Sequence, residues 1–151
     1  MKTITTLVLA MAATAGLMAA ADKPNFSGDW AMDATKSDFG PAPPPSTMTR
    51  KVTHSDPAMT VIEARDDMST TVKYSTDGKE TTNELMGAPT KSTAKWDGNA
   101  LLVVTKADFQ GTEITINSKW MLSADGKVLT DTWHLVTPQG EFDMTYVLNK
   151  K

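Results

Sequence analysis

"TEITINSKWMLSADGKVLTDTWHLVTPQGEFDMTYVL", Thr112 to Leu148, sets the architecture. Ile114, Ile116, Trp120 and Leu122 occupy alternate positions in its first part, and Phe142, Met144, Tyr146 and Leu148 do so in its last. Successive strand side chains point to opposite faces, so a period of two over this length marks half-buried β-strands and not helices. Asp125-Gly126 separates two such runs, and Asp-Gly is the strongest short hairpin signal because its turn matches the twist of paired strands. A two-residue turn there sets Leu122 opposite Leu129, Trp120 opposite Asp131 and Ile116 opposite Leu135. The loop from Thr137 to Gly140 sets Leu135 opposite Phe142 and Trp133 opposite Met144. Both hairpins choose one inward face, and a slip of one residue would turn that face to solvent.

The same period followed along the chain gives ten candidate strands, at 28–33, 46–54, 59–65, 69–76, 79–86, 90–96, 99–106, 112–123, 127–136 and 141–149. Asp77-Gly78 and Asp97-Gly98 supply further hairpin signals. Asp33 to Pro45, "DATKSDFGPAPPP", reads as a helical turn followed by a proline-stiffened loop that crosses one end of the sheet. The chain is an antiparallel up-and-down meander, and ten neighbouring strands close into a β-barrel to remove their edges. Lys73-Tyr74, Lys95-Trp96 and Lys119-Trp120 recur at about one hairpin length, each shortly before an Asp-Gly. Alternate strands run the same way, so these aromatics should gather at one end together with Trp30, with the lysines on the outer face.

Composition narrows the class. Met1-Lys2-Thr3, an apolar run to Met18 and Ala19-Ala20-Ala21 describe a secretory signal peptide removed after about Ala21. The expectation is therefore a leader over 1–21 and one domain over 22–151, in the periplasm or secreted, without a membrane span because the apolar run is short of ~20 residues. There is no Cys, which excludes disulfides and thiolate metal sites. The net charge of −3 argues against nucleic acid, which needs a basic face.

"FSGDW", Phe26 to Trp30, resembles the Gly-x-Trp signature at the head of the first strand in lipocalins and fatty-acid-binding proteins. The resemblance implies that Gly28 and Trp30 form the barrel-closing motif, with Lys150 or Lys151 as the basic partner where an arginine is usual. The mature chain is also similar to small secreted bacterial lipocalin-like proteins, a group without an assigned function. A proline-rich loop stands here where fatty-acid-binding proteins insert two helices.

A four-residue loop at Ser55–Ala58 sets Arg50 opposite Glu63 on the face of Met48, Val52 and Val61. An inward arginine either pairs with that glutamate or binds an organic carboxylate bidentately. Asp131 points inward between Trp120 and Tyr146, whose indole N–H and hydroxyl are its expected donors; it is either a satisfied core carboxylate or a ligand-orienting acceptor. The candidate ligand-binding set is Met48, Arg50, Glu63, Val103, Ile116, Ser118, Asp131, Trp133, Leu135, Phe142 and Met144, with Val72, Asn83 and Ser92 on the same wall. His134 falls outward opposite Asp143, as a surface pair. No catalytic motif, metal cluster or cofactor signature stands out. The sequence thus points to a non-enzymatic barrel that binds a small, mostly apolar ligand, an acid if Arg50 holds it; the alternative is an interaction module whose barrel is filled.

Overall fold

A computed structural model describes residues 22–151, so the expected leader lies outside the described residues. Ten strands form one sheet: β1 (Gly28–Met32), β2 (Met48–Ser55), β3 (Ala58–Arg65), β4 (Met68–Ser75), β5 (Thr81–Leu85), β6 (Ala88–Asp97), β7 (Ala100–Phe109), β8 (Thr112–Leu122), β9 (Val128–Thr137) and β10 (Gly140–Lys150). They hydrogen-bond in the order β4-β3-β2-β1-β10-β9-β8-β7-β6-β5, every pair antiparallel. The registers Trp120 to Asp131, Leu135 to Phe142 and Arg50 to Glu63 are those set by the turns. No helix among the described residues is long and apolar enough to cross a membrane.

Closure comes from β1, which pairs with β2 on one side and with β10 on the other, so Trp30 lies opposite both Arg50 and Lys150. This joins the two ends of the chain and removes an open sheet or a sandwich from consideration. The one unladdered junction is between β4 and β5. There Asn83 of β5 takes the place of a backbone: its Oδ1 accepts from the Lys73 amide at 2.7 Å and its Nδ2 donates to the Lys73 carbonyl at 2.9 Å. Asp77-Gly78 departs from expectation, because it does not fold β4 onto β5 as a hairpin. Its Gly78 amide bonds Ala94 instead and Asp77 bridges to Lys95, which turns the chain toward β6 and leaves the seam.

Gly28, Trp30 and Lys150 meet where β1 pairs with β10. Gly28 has φ +143, and a Cβ there would lie 2.8 Å from Lys150 Cε. Its bare backbone lets the lysine stem pass, so that Nζ sits 5.4 Å from the centre of the Trp30 ring. Beneath lies an aromatic plug whose hub, Phe26, strand alternation does not reveal. Phe26 is fully buried, stacks on Trp96, meets Trp120 edge-on, and accepts the Trp30 indole N–H on its carbonyl at 3.0 Å. Trp30, Trp96 and Trp120 thus gather at one end as the repeat required, and Tyr74 joins the same core.

The first half of the segment after β1 runs along β10 as part of the wall. Asp33 and Asp38 amides bond the Val147 and Thr145 carbonyls, and Phe39 turns inward onto Tyr146 with ring centres 5.9 Å apart. This half therefore extends β1 irregularly along β10.

Candidate functional site

Alternation puts Arg50 of β2, Glu63 of β3, Ser118 of β8 and Asp131 and Trp133 of β9 on inward positions at mid-height of the barrel. Arg50 Nε donates to Glu63 Oε2 at 2.7 Å, and its Nη1 donates to Asp131 Oδ2 at 2.7 Å. The guanidinium is 2 % exposed and lies 4.9 Å from the centre of the Trp120 ring. Asp131, fully buried, also accepts from Ser118 Oγ at 2.5 Å and Trp133 Nε1 at 2.7 Å. Arg65, inward at the end of β3, adds a contact of 3.4 Å to the other Glu63 oxygen and lies 5.2 Å from the Tyr146 ring centre. Its Nε is the one buried side-chain polar atom among the described residues without a partner.

The expected donors to Asp131 need correcting. The Trp120 indole gives its proton to Ser118 Oγ at 2.9 Å and so reaches the carboxylate through that hydroxyl. The Tyr146 hydroxyl points to Met144 sulfur at 3.8 Å. The places at Asp131 are taken by Arg50 and Trp133, whose planar donors approach more closely. Arg50 comes from a strand 81 positions away in sequence. The sequence showed an inward carboxylate and an inward arginine, each in need of a partner, but not that closure sets them face to face.

Burial pushes the Asp131 carboxyl up, against the Arg50 charge and the Ser118 and Trp133 hydrogen bonds. Burial works against the Arg50 charge too, but Glu63 and Asp131 outweigh it and raise the guanidinium further above its ordinary range.

Beside the cluster lies a cavity of about 100 Å³. Of the expected set, Arg50, Glu63, Val103, Ile116, Ser118, Asp131 and Trp133 line it, as do Val72 and Ser92. Met48, Leu135, Phe142 and Met144 do not line it: Met48 and Met144 are used up in the core, with Leu135 packed against that core. Asn83 is spent on the seam. Val61, Thr70, Tyr74, Leu85, Thr90, Thr105 and Trp120 complete the wall. Most of these sit on the same period-two positions, but short polar residues on a strand do not announce which way they point. The wall is apolar from Val61, Val72, Val103 and Ile116, and six of its side chains carry hydroxyls.

A second polar group closes the plugged end. The Phe26 amide donates to His54 Nδ1 at 3.2 Å, so the ring proton sits on Nε2 and meets Asp56 Oδ1 at 2.8 Å. Burial raises the Asp56 carboxyl, but the Thr76 hydroxyl and the His54 ring outweigh it and hold it below the usual range. This group fastens the segment before β1 and does not face the cavity. His134 lies outside with Asp143 at 2.8 Å, the surface pair that its register required.

No family model matches the chain, and no curated relative does. Solved structures share its shape. A SAHS (abundant heat soluble) protein from Ramazzottius varieornatus superposes with a TM-score of 0.64 at 13% identity, over 83% of this chain and 94% of that one. Zebrafish ileal bile acid-binding protein in complex with cholic acid gives a TM-score of 0.59 at 17% identity, over 83% and 98%. At such identities the likeness is one of fold, and the fold is a ten-stranded antiparallel meander, nearly closed, of the lipocalin and fatty-acid-binding type.

Proposed function

We propose that the protein holds one small, mostly apolar molecule inside its barrel, and does so outside the cytoplasm once the leader ending near Ala21 is removed. The observation that carries this reading is the interior cavity, where an apolar wall meets a fixed Arg50–Glu63–Asp131 cluster. Binding pockets combine apolar walls with a few convergent polar groups in this way. The bile acid-binding protein, which holds cholic acid in a barrel of the same fold, supports it. We read a binder and not an enzyme because the reactive groups of the wall are engaged with one another: Ser118 with Asp131, and Asp131 with Arg50 and Trp133.

Size limits the ligand. A cavity of about 100 Å³ lies below the ~300–1,000 Å³ of drug-sized pockets. The cavity as built takes a head group and a few carbons. The same small volume favours the second reading, a filled barrel that acts through its outer face or loops.

Native mass spectrometry on the protein purified gently from its own host separates the two. Added mass that is lost on denaturation is expected and would define the cargo. A bare mass, followed by a flat titration with an apolar fluorescent probe read through Trp120 and Trp133, would overturn the binding reading in favour of the second.

A further inference from the structure

The interior charges form an alternating chain of Asp131, Arg50, Glu63 and Arg65, with links of 2.7, 2.7 and 3.4 Å. Two are negative and two positive, so the chain is neutral as a unit. Asp131, Arg50 and Glu63 face the cavity; Arg65 balances Glu63 from outside the wall. No other charged side chain among the described residues lines that space.

A ligand ion therefore meets no unmatched charge. Arg50 is already matched by Glu63 at Nε and Asp131 at Nη1, so a ligand carboxylate at a remaining guanidinium N–H adds a negative charge with no counter-ion of its own. An uncompensated buried ion is strongly destabilising, so its entry is unfavourable. Hydroxyl groups, by contrast, are plentiful. Thr70, Tyr74, Thr90, Ser92, Thr105 and Ser118 all line the cavity. Ser92 and Thr105 bond each other at 2.8 Å, and either can be the donor. Hydroxyls rotate to suit a donor or an acceptor, at no cost in net charge.

We infer that the cavity is built for an uncharged molecule with one hydrogen-bonding end, of the alcohol, ketone or amide class, and discriminates against a carboxylate of the same shape. The inference rests on the binding reading above and names its ligand class. Arg50 then orders the wall and holds Asp131, and the acid that its inward position alone suggested is not the ligand.

Hexanamide and hexanoate test this, being nearly isosteric and different in charge. Each is titrated into the full mature chain at pH 7.5 while the indole N–H resonances of Trp120 and Trp133 are followed by NMR. The expected result is saturable movement with hexanamide and at least tenfold weaker binding of hexanoate. Glu63→Gln leaves one positive charge in excess, so the ratio of hexanoate to hexanamide affinity should gain at least tenfold. Hexanoate binding to the wild-type chain as tightly as hexanamide overturns the inference and leaves the binding reading standing. A folded Glu63→Gln variant without that gain overturns the charge argument. Neither probe moving either indole overturns the binding reading and the inference together. The wild-type comparison decides the matter even where the variant fails to fold.

Discussion

Replacing Asp131 with Asn tests the central ion cluster most directly. Asp131 accepts three hydrogen bonds, and one comes from a guanidinium that is 2 % exposed. The asparagine keeps the shape but removes the charge opposite Arg50 and turns an N–H group toward existing donors. Breaking a buried pair at one partner costs about 3–5 kcal/mol, a large share of a typical folding free energy of about 5–15 kcal/mol. Arg50→Met should cost a similar amount, since it leaves the Asp131 carboxylate buried with neutral donors alone. The double variant should not cost the sum. Methionine fills the guanidinium space, the substituted amide can still accept from Trp133, and Glu63 keeps Arg65 at 3.4 Å. We expect the pair together to cost no more than about 2 kcal/mol, a coupling of about 4 kcal/mol or more. Urea unfolding followed by tryptophan fluorescence measures this, provided the slope with denaturant is the same for all four proteins. A cost below about 1 kcal/mol for Asp131→Asn, or additivity in the double variant, would refute the cluster as described.

Other parts of the barrel carry their own expected outcomes. Gly28→Ala should lower stability by about 1–3 kcal/mol through its left-handed φ. Lys150→Ala added to it removes the 2.8 Å contact with the lysine stem but not the backbone strain, so a thermal melt should show only partial recovery. Asn83→Leu should abolish hydrogen-exchange protection of the Lys73 amide while changing global stability by only about 1 kcal/mol; unchanged protection would show that the seam is closed by other means. Asp33 and Asp77 are both held down to about 2, mainly by the Thr35 and Ser75 hydroxyls respectively. A depressed folded-state carboxylate stabilises the fold above its unfolded value near 3.8, and that stabilisation is lost as pH falls through 2. Carboxyl NMR titration should find both midpoints near 2, and Asp33→Asn should flatten the stability profile between pH 4 and 2. Midpoints near 4 would contradict the hydrogen bonds at these turns.

The strand pattern was legible because a pleated strand half-buried in a sheet imposes a two-residue period on side-chain polarity. Short turns converted that period into registers. Arg50 opposite Glu63 and Trp120 opposite Asp131 follow from turn length alone. The failure at Asp77-Gly78 has the same origin. A dipeptide specifies a local bend, but which strand accepts the freed hydrogen bonds depends on β6, which Asp77-Gly78 cannot see. Phe26 escapes such reasoning because it precedes the first strand, where alternation carries no information.

Everything local stands in the residues themselves: ten strands, their apolar inward faces and the neighbours across each tight turn. Which inward groups meet across the barrel is settled by the closed sheet. Asp131 finds Arg50 rather than Tyr146 because closure through β1 brings β2 and β9 to face one another across the interior. Closure also sets volume, since aromatics from separate strands fill one end and leave about 100 Å³ beside the ion cluster. Periodicity reports the direction of each side chain from its own backbone. Distance between side chains on remote strands depends on the curvature of the whole sheet, and no short stretch of sequence encodes that.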